Sequence, residues 1–126
     1  MTDLKIKRAY EKVASTDGKR ILVDRLWPRG VSKEKIEIIN WAKEIAPSAE
    51  IRKEFNHQPE KFQWFCKAYR KELKQNEQFP NFLEQIYKWL EQDNVTLLYG
   101  AKDEGHNHAV VLQEYLLEKL SEGVNE

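Results

Sequence analysis

Short apolar runs alternate with longer amphipathic segments along the chain, and the apolar runs have the length of β-strands. From Leu4 to Tyr10, apolar residues alternate with lysines, which predicts a half-exposed strand. Residues 20–27 predict a second strand, and the consecutive apolar residues 21–23 are typical of a strand covered on both faces. The segment VTLLY, residues 95–99, is the clearest strand because it is apolar, β-prone and bounded by turn-forming residues.

Helices are predicted where a capping residue or a first-turn proline precedes apolar residues at helical spacing. Residues 36–46 fit neither the helical nor the strand period. The predicted helices are a short one from Lys33 capped by Ser32, one capped by Ser48 and ending at Phe55, two that open at Pro59 and Pro80, and a last one from about Asn107 to Leu120.

This order of elements predicts an α/β fold: a single three-layer domain in which helices flank a small, mostly parallel β-sheet. The domain spans residues 1–126, with residues 121–126 expected to form a frayed tail. The link between the first two strands is too short for an ordinary crossover helix, so an antiparallel first strand is expected. The order of the strands is left open.

The charge of the chain is balanced, with 21 Lys plus Arg, 21 Asp plus Glu and a formal net charge of zero. No global field therefore draws the protein to nucleic acid or to a membrane, and any preference for anions has to be local. Cys66 is the single cysteine, which excludes an intramolecular disulfide and favours a small core residue. The chain has no apolar stretch long enough for a signal peptide or a membrane span, so we expect a cytoplasmic protein.

The candidate site lies where two strands end, because ligands of open parallel sheets bind beyond the carboxyl ends of the strands. If the strands at 20–27 and 95–99 are neighbours, the loops that follow them share one rim. Basic groups in these loops suit a phosphate or carboxylate, and aromatic rings suit a stacked base or ring. The predicted ligand-binding residues are Arg25, Trp27, Arg29, Tyr99, Lys102 and Asn107, and the predicted acid–base pair is Asp103 with His106.

Each candidate also has a structural interpretation, and these alternatives stay open. In these interpretations, Arg25 pairs with a carboxylate or a helix end, Trp27 belongs to the core or a lid, and Asn107 serves only as a helix cap. Asp103 and His106 are likewise residues that cap helix starts. His106 and His108 resemble a metal pair, but two residues apart at a helix start they point in different directions, and without a third ligand no metal site is predicted.

Three ordered motifs resemble one family. DGKRILVDRLWPRG, WAKEIAPS and TLLYGAKDEGHNHAVVLQEYL are similar to domain-of-unknown-function family 488, in its short YeaO-like branch, and the resemblance covers about Lys5 to Leu120. It implies a small cytoplasmic α/β protein of bacteria or archaea without an established activity. The family pattern marks Asp24, Arg25, Trp27, Pro28, Arg29, Gly30, Trp41, Lys43, Glu44, Pro47, Ser48, Tyr99, Lys102, Asp103, His106 and Asn107.

One departure from that pattern bears on the chemistry. The resemblance implies that longer relatives carry a Cys-His-Arg arrangement around the last loop, where this chain has HNHA. The difference argues against thiol chemistry or sulfur transfer here.

Two classes of function follow from the sequence. The first is a site for a small anionic, possibly nucleotide-like, ligand at the carboxyl edge of the sheet, with no cofactor and with the question of catalysis open. The alternative is a nucleic-acid or protein-interaction module without catalysis, suggested by the basic and aromatic residues between Arg52 and Lys74. Acidic residues in that segment favour an ordinary solvated helix instead. Monomer and homodimer are both compatible with the sequence.

Overall fold

A computed structural model of the protein describes residues 2–123, and a four-stranded, all-parallel sheet lies at its centre. The order along the sheet is β1-β4-β2-β3, so β4 lies between the first two strands of the chain. The strands are β1 (Leu4–Arg8), β2 (Lys19–Leu22), β3 (Asn40–Trp41) and β4 (Val95–Tyr99). The predicted α/β class is confirmed.

The expectation of an antiparallel first strand is wrong, since β1 pairs with β4 in parallel register. The short link from β1 to β2 returns along the sheet without a long crossover helix. Lys5 Nζ donates to the carbonyl of Thr16 at 2.9 Å and Lys7 Nζ to the carboxylate of Asp17 at 3.1 Å, which holds the link against β1. Because β4 lies between them, β1 and β2 do not pair directly. Each strand pairs with β4 in parallel, so both run in the same direction.

Residues 2–123 contain five α-helices, and their starts follow the local signals. Ser32 and Ser48 cap their helices through their hydroxyls, as predicted. Pro59 begins a single 3-10 turn, and the long helix starts only after it. The helices are α1 (Lys33–Ile36), α2 (Ala49–Phe55), α3 (Phe62–Gln75), α4 (Phe79–Leu90) and α5 (His108–Ser121).

The two faces of the sheet are covered differently. Ile21 and Leu97 point into the main core, which is formed with α3, α4 and α5. Leu22 and Leu98 point to the other face, where the one-turn helix α1 and irregular segments cover them. Each buried aliphatic side chain of this kind stabilises the fold by about 1.5–3 kcal/mol relative to exposure. The sheet is therefore the middle of three layers, and one outer layer contains a single helical turn.

Two predicted boundaries change in the structure. The second strand was expected to continue to Trp27, but β2 ends at Leu22, and the chain then leaves the sheet in a loop. The segment 36–46 contains β3 and a 3-10 turn, Lys43–Ile45, which explains why it fits neither period. Of the predicted frayed tail, Ser121 belongs to α5, and residues 124–126 lie outside the described residues.

Cys66 is half-buried and packs against the main core, as predicted for a small hydrophobic residue. Burial, followed by the charge of Glu114, raises the pKa of its thiol above the usual value. In the described part of the chain, no helix is long and apolar enough to cross a membrane.

Candidate functional site

The loops that follow β2 and β4 meet at one rim of the sheet. Asp24 lies in the first loop, and its Oδ2 accepts a hydrogen bond of 2.9 Å from the N–H of Gly100 in the second. An open cleft of about 860 Å³ lies at this junction, with α2 forming a further wall. The shared rim expected for two neighbouring strands is therefore present.

The cleft contains five of the eight residues predicted for the site. Arg25 and Trp27 come from the first loop, and Lys102, Asp103 and Asn107 from the second. The other three, Arg29, Tyr99 and His106, are not among its lining residues. Four cationic or potentially cationic residues (Arg25, Arg29, Lys102 and His106) were expected to converge here, and only Arg25 and Lys102 do.

Two basic residues outside the predicted set of site residues also line the cleft. Arg52 and Lys53 lie next to each other in α2 and reach the cleft from its opposite side. Arg52 Nε is buried without a hydrogen-bond partner in residues 2–123. The only signal in the sequence was a pair of adjacent cations in a capped short helix, which by itself indicates a solvated surface.

The cleft has an excess of positive charge. Four cationic side chains face two carboxylates, those of Asp24 and Asp103, in a chain whose formal net charge is zero. Apolar residues form much of the remaining wall, among them Leu26, Phe55 and Phe65. The arrangement combines local positive potential with apolar surface, which is typical of sites for small organic anions.

Arg25 and Trp27 both have structural roles. The guanidinium of Arg25 donates to the carbonyls of Pro47 and Ala46, at 3.3 and 3.1 Å, and so ties the first loop to the segment before α2. Trp27 Nε1 donates to the carbonyl of Val31 at 2.7 Å, and its ring packs edge-on against Trp41. Both residues therefore shape the walls of the cleft that they line.

Tyr99 and Arg29 lie in contrasting surroundings. Tyr99 is almost fully buried in the main core, and burial, followed by the charge of Glu104, raises the pKa of its phenol. Arg29 is exposed, and its backbone carbonyl accepts a hydrogen bond of 3.0 Å from the Tyr10 hydroxyl.

The predicted pair of Asp103 and His106 is in contact but is turned toward a helix start. The Asp103 carboxylate accepts hydrogen bonds from the N–H groups of Gly105 and His106, and His106 Nδ1 lies 3.0 Å from its Oδ2. The Gly105 bond and the His106 contacts outweigh desolvation and lower the pKa of Asp103. The His106 ring packs edge-on against Phe62, and the arrangement caps the turn before α5.

The second loop ends in a helix cap formed by Asn107. Its Oδ1 accepts a hydrogen bond of 3.1 Å from the N–H of Val110, and its Nδ2 donates to the carbonyl of Asp103 at 2.8 Å. Asn107 therefore caps α5, as its structural interpretation predicts, and it also lines the cleft.

His108 points in a different direction from His106, as the sequence predicts. Its Nε2 lies 3.1 Å from the carbonyl of Val23 and 3.0 Å from Asp24 Oδ1, and the residue lines the cleft. Within residues 2–123, no cluster of three or more His, Cys, Asp or Glu residues is arranged to hold a metal ion.

Comparison with known proteins agrees with the three motifs. The family profile described as "Inactive DUF488-N3 subclade" matches residues 3–126. The chain belongs to the DUF488 family. Among its relatives, the uncharacterized protein YeaO of Escherichia coli (strain K12) is 43% identical over 114 residues, which cover 90% of this chain and 96% of YeaO. The uncharacterized protein Rv3073c of Mycobacterium tuberculosis (strain ATCC 25618 / H37Rv) is 35% identical over 115 residues, which cover 91% and 94%.

No solved structure matches this DUF488 protein. The family model and the match to YeaO confirm the resemblance to the YeaO-like branch.

The basic and aromatic segment of this DUF488 protein forms mainly helix α3. The aromatic residues Phe65 and Tyr69 are buried in the core, whereas Trp64 keeps 44% of its surface exposed. Arg70 pairs with Glu118 of α5 at 2.6 Å. Most of the rings that would stack on nucleic-acid bases are thus occupied in packing, which agrees with the interpretation as a solvated amphipathic helix.

Proposed function

We propose that this DUF488 protein binds a small phosphate- or carboxylate-bearing molecule in the cleft between the loops that follow β2 and β4. The observation that carries the proposal is the convergence of Arg25, Arg52, Lys53 and Lys102 from three separate segments on one cleft. Chance exposure of lysines and arginines gives scattered charges, whereas these four side chains surround a common volume.

The cationic residues retain unused hydrogen-bonding capacity. Neither Lys53 nor Lys102 has a carboxylate within 4.0 Å among residues 2–123, and Arg52 Nε is a buried donor without a partner there. Buried donors in native proteins are nearly always satisfied, and this unpaired Nε belongs to a residue that lines the cleft, which supports Arg52 as a ligand-binding residue. A guanidinium binds phosphate and carboxylate oxygens in its plane, and a lysine adds a point charge.

The dimensions of the cleft favour a metabolite over a macromolecule. Its volume of about 860 Å³ falls within the usual range of small-molecule sites, roughly 300–1,000 Å³. Trp27, Phe55 and Phe65 supply apolar wall for the carbon skeleton or ring of the ligand.

Binding without turnover is the form of the proposal that agrees best with the family. The matching profile is described as an inactive subclade. Asp103 and His106 form an acid–base pair, but His106 contacts Phe62 and is not among the residues that line the cleft. The ligand proposal therefore requires no reaction at that pair.

We further propose that the ligand is a cytoplasmic metabolite and that the protein binds it as a monomer or as a homodimer. Light scattering at several concentrations, combined with fractionation of cells, tests these two points.

Thermal unfolding and isothermal titration calorimetry test the main proposal. The probes are inorganic phosphate, glucose 6-phosphate, AMP, citrate and a short oligonucleotide, each at constant ionic strength. An anion present at a hundred times its dissociation constant stabilises the folded protein by about 2.7 kcal/mol, which raises the melting temperature by several degrees.

The same experiment has two adverse outcomes. If none of the probes changes the melting temperature or releases heat with folded protein, the anion site is refuted. If only the oligonucleotide binds, and its affinity falls steeply with salt, the alternative of a nucleic-acid module replaces the proposal.

A further inference from the structure

A second pair of histidine and carboxylate lies within the cleft itself. Both Asp24 and His108 line it, with 19% and 15% of their side chains exposed, whereas Asp103 and His106 are more open at 39% and 44%. Asp24 is anchored because its Oδ2 accepts the N–H of Gly100. Its Oδ1 is buried and accepts no hydrogen bond from residues 2–123, although it lies 3.0 Å from His108 Nε2.

The surroundings of His108 determine which ring nitrogen carries the hydrogen. Its Nε2 lies 3.1 Å from the carbonyl oxygen of Val23 and 3.0 Å from Asp24 Oδ1, and both atoms are acceptors. A lone pair at Nε2 would be repelled by both oxygens, so Nε2 carries the hydrogen. In the neutral ring, Nδ1 then keeps its lone pair and acts as a hydrogen-bond acceptor.

The remaining nitrogen is available to a ligand. Nδ1 of His108 has no hydrogen-bond partner within residues 2–123, and unlike Asp24 Oδ1 it is not fully buried, in a residue that lines the cleft. An acceptor in a cleft that is otherwise rich in cationic donors is complementary to a ligand that carries a donor beside its negative charge. A simple inorganic anion at neutral pH offers few donors, whereas an organic anion with a hydroxyl group offers one beside its charge.

We infer that His108 accepts a hydrogen bond from a hydroxyl group of the ligand, so that the cleft selects hydroxylated organic phosphates or carboxylates over otherwise identical anions without the hydroxyl. The inference rests on the proposed function and specifies its ligand class. The cationic residues bind the charged group, and His108, whose Nε2 lies beside Asp24 and the carbonyl of Val23, recognises the hydroxyl.

Calorimetry with matched pairs of probes tests the inference. One pair is 3-hydroxypropyl phosphate and propyl phosphate, and the other is 3-hydroxybutyrate and butyrate. A net hydrogen bond of about 0.5–1.5 kcal/mol corresponds to a preference of roughly twofold to tenfold for the hydroxylated member in the wild type. His108→Gln should abolish this preference while retaining the affinity for the plain anion, and His106→Gln should preserve it.

A second measurement is independent of ligand affinity. The nitrogen chemical shifts of the His108 ring should show the Nε2–H tautomer in the free wild type, and 3-hydroxypropyl phosphate should shift Nδ1. His108→Phe, which has no nitrogen at either ring position, repeats the calorimetric test if the glutamine variant is not folded.

The outcomes separate the two proposals. If the probes bind but the wild type does not distinguish the members of a pair, or His108→Gln distinguishes them equally well, the role of His108 is refuted and the anion site stands. An Nδ1–H tautomer in the free protein also refutes that role. If no probe binds the folded wild type, the anion site itself fails and the inference falls with it.

Discussion

The carboxylate of Asp24 accepts a hydrogen bond of 2.9 Å from the backbone N–H of Gly100, 76 residues further along the chain. This single contact joins the loop after β2 to the loop after β4 at the rim of the cleft. A Cβ at position 100 would lie 2.9 Å from Asp24 Oδ2, so the glycine is what allows the close approach. The geometry of the proposed site thus depends on a bond between residues far apart in sequence.

Replacing Asp24 by alanine should therefore destabilise the fold. Asp24→Ala leaves the half-buried N–H of Gly100 without its charged acceptor, and we expect the free energy of unfolding to fall by about 2 kcal/mol. Urea unfolding measures the change, with Asp3→Ala as a control at an exposed carboxylate. Equal stabilities of Asp24→Ala and the wild type would show that the bond does not hold the loops together.

Two glycines with positive φ angles should respond differently to alanine. Gly18 has φ +65°, and a Cβ there would lie 2.0 Å from the carbonyl oxygen of Asn94, whereas Gly30 has φ +79° and no atom within 4 Å of its Cβ. Gly30→Ala should cost about 1–2 kcal/mol of backbone strain. Gly18→Ala adds a backbone clash and should cost clearly more, or prevent folding. Similar melting temperatures for the two variants would contradict this prediction.

The buried carboxylate of Asp17 should make stability depend on pH. Burial raises the pKa of Asp17, but hydrogen bonds from the Ala14 N–H, Lys7 and Arg20 outweigh burial and lower the pKa below its usual 3.8. Because the folded pKa is the lower one, this contribution is complete well above pH 3.8 and is lost as the pH falls through the folded pKa. Urea unfolding between pH 7 and the acid range measures it.

Asp17→Asn is the matched variant for this titration. It should show a smaller loss of stability in acid than the wild type. At pH 7 it should already be less stable by roughly 3 kcal/mol, because the buried guanidinium of Arg20 loses its charged partner. An unchanged dependence on pH in Asp17→Asn would assign the acid sensitivity to other carboxylates.

Reversing a charge in the cleft should weaken the binding of anions. Lys102→Glu replaces an attractive charge by a repulsive one, and at roughly 1 kcal/mol for each near-surface charge the affinity should fall by about tenfold or more. Lys71→Glu makes the same change in net charge on the exposed surface of α3, outside the cleft. Calorimetry with glucose 6-phosphate compares them, and equal losses in the two variants would indicate a nonspecific effect of net charge.

Arg25 and Arg29 should be separable despite their proximity in sequence. Arg25→Ala removes hydrogen bonds to the carbonyls of Ala46 and Pro47 and should lower the free energy of unfolding by about 1–2 kcal/mol. Arg29 is exposed and is not among the residues that line the cleft, so Arg29→Ala should change stability by less than about 0.5 kcal/mol. Thermal unfolding with and without a bound anion distinguishes the two, and a loss of ligand stabilisation in Arg29→Ala alone would place the site at Arg29.

Features set by neighbouring residues could be predicted from the sequence. The strand 95–99 and the caps at Ser32, Ser48 and Asn107 lie where local composition places them. A β-branched apolar run and a side-chain oxygen bonded to an N–H three residues later depend only on nearby chain, so the printed residues contain the information. Membership of the DUF488 family could also be predicted from the sequence, because each of the three motifs is a continuous run of residues.

Features set by long-range contacts emerged only when the chain was folded. The insertion of β4 between β1 and β2 made the first strand parallel, although its short link had suggested otherwise. Folding brought Arg52 and Lys53 from α2 to the cleft and placed His108, rather than His106, beside Asp24. These relationships join residues dozens of positions apart, and no local period or capping rule encodes which distant backbone will lie opposite. Local sequence therefore specifies most of the elements and the rim where a site would form, whereas packing across the sheet specifies which side chains meet there.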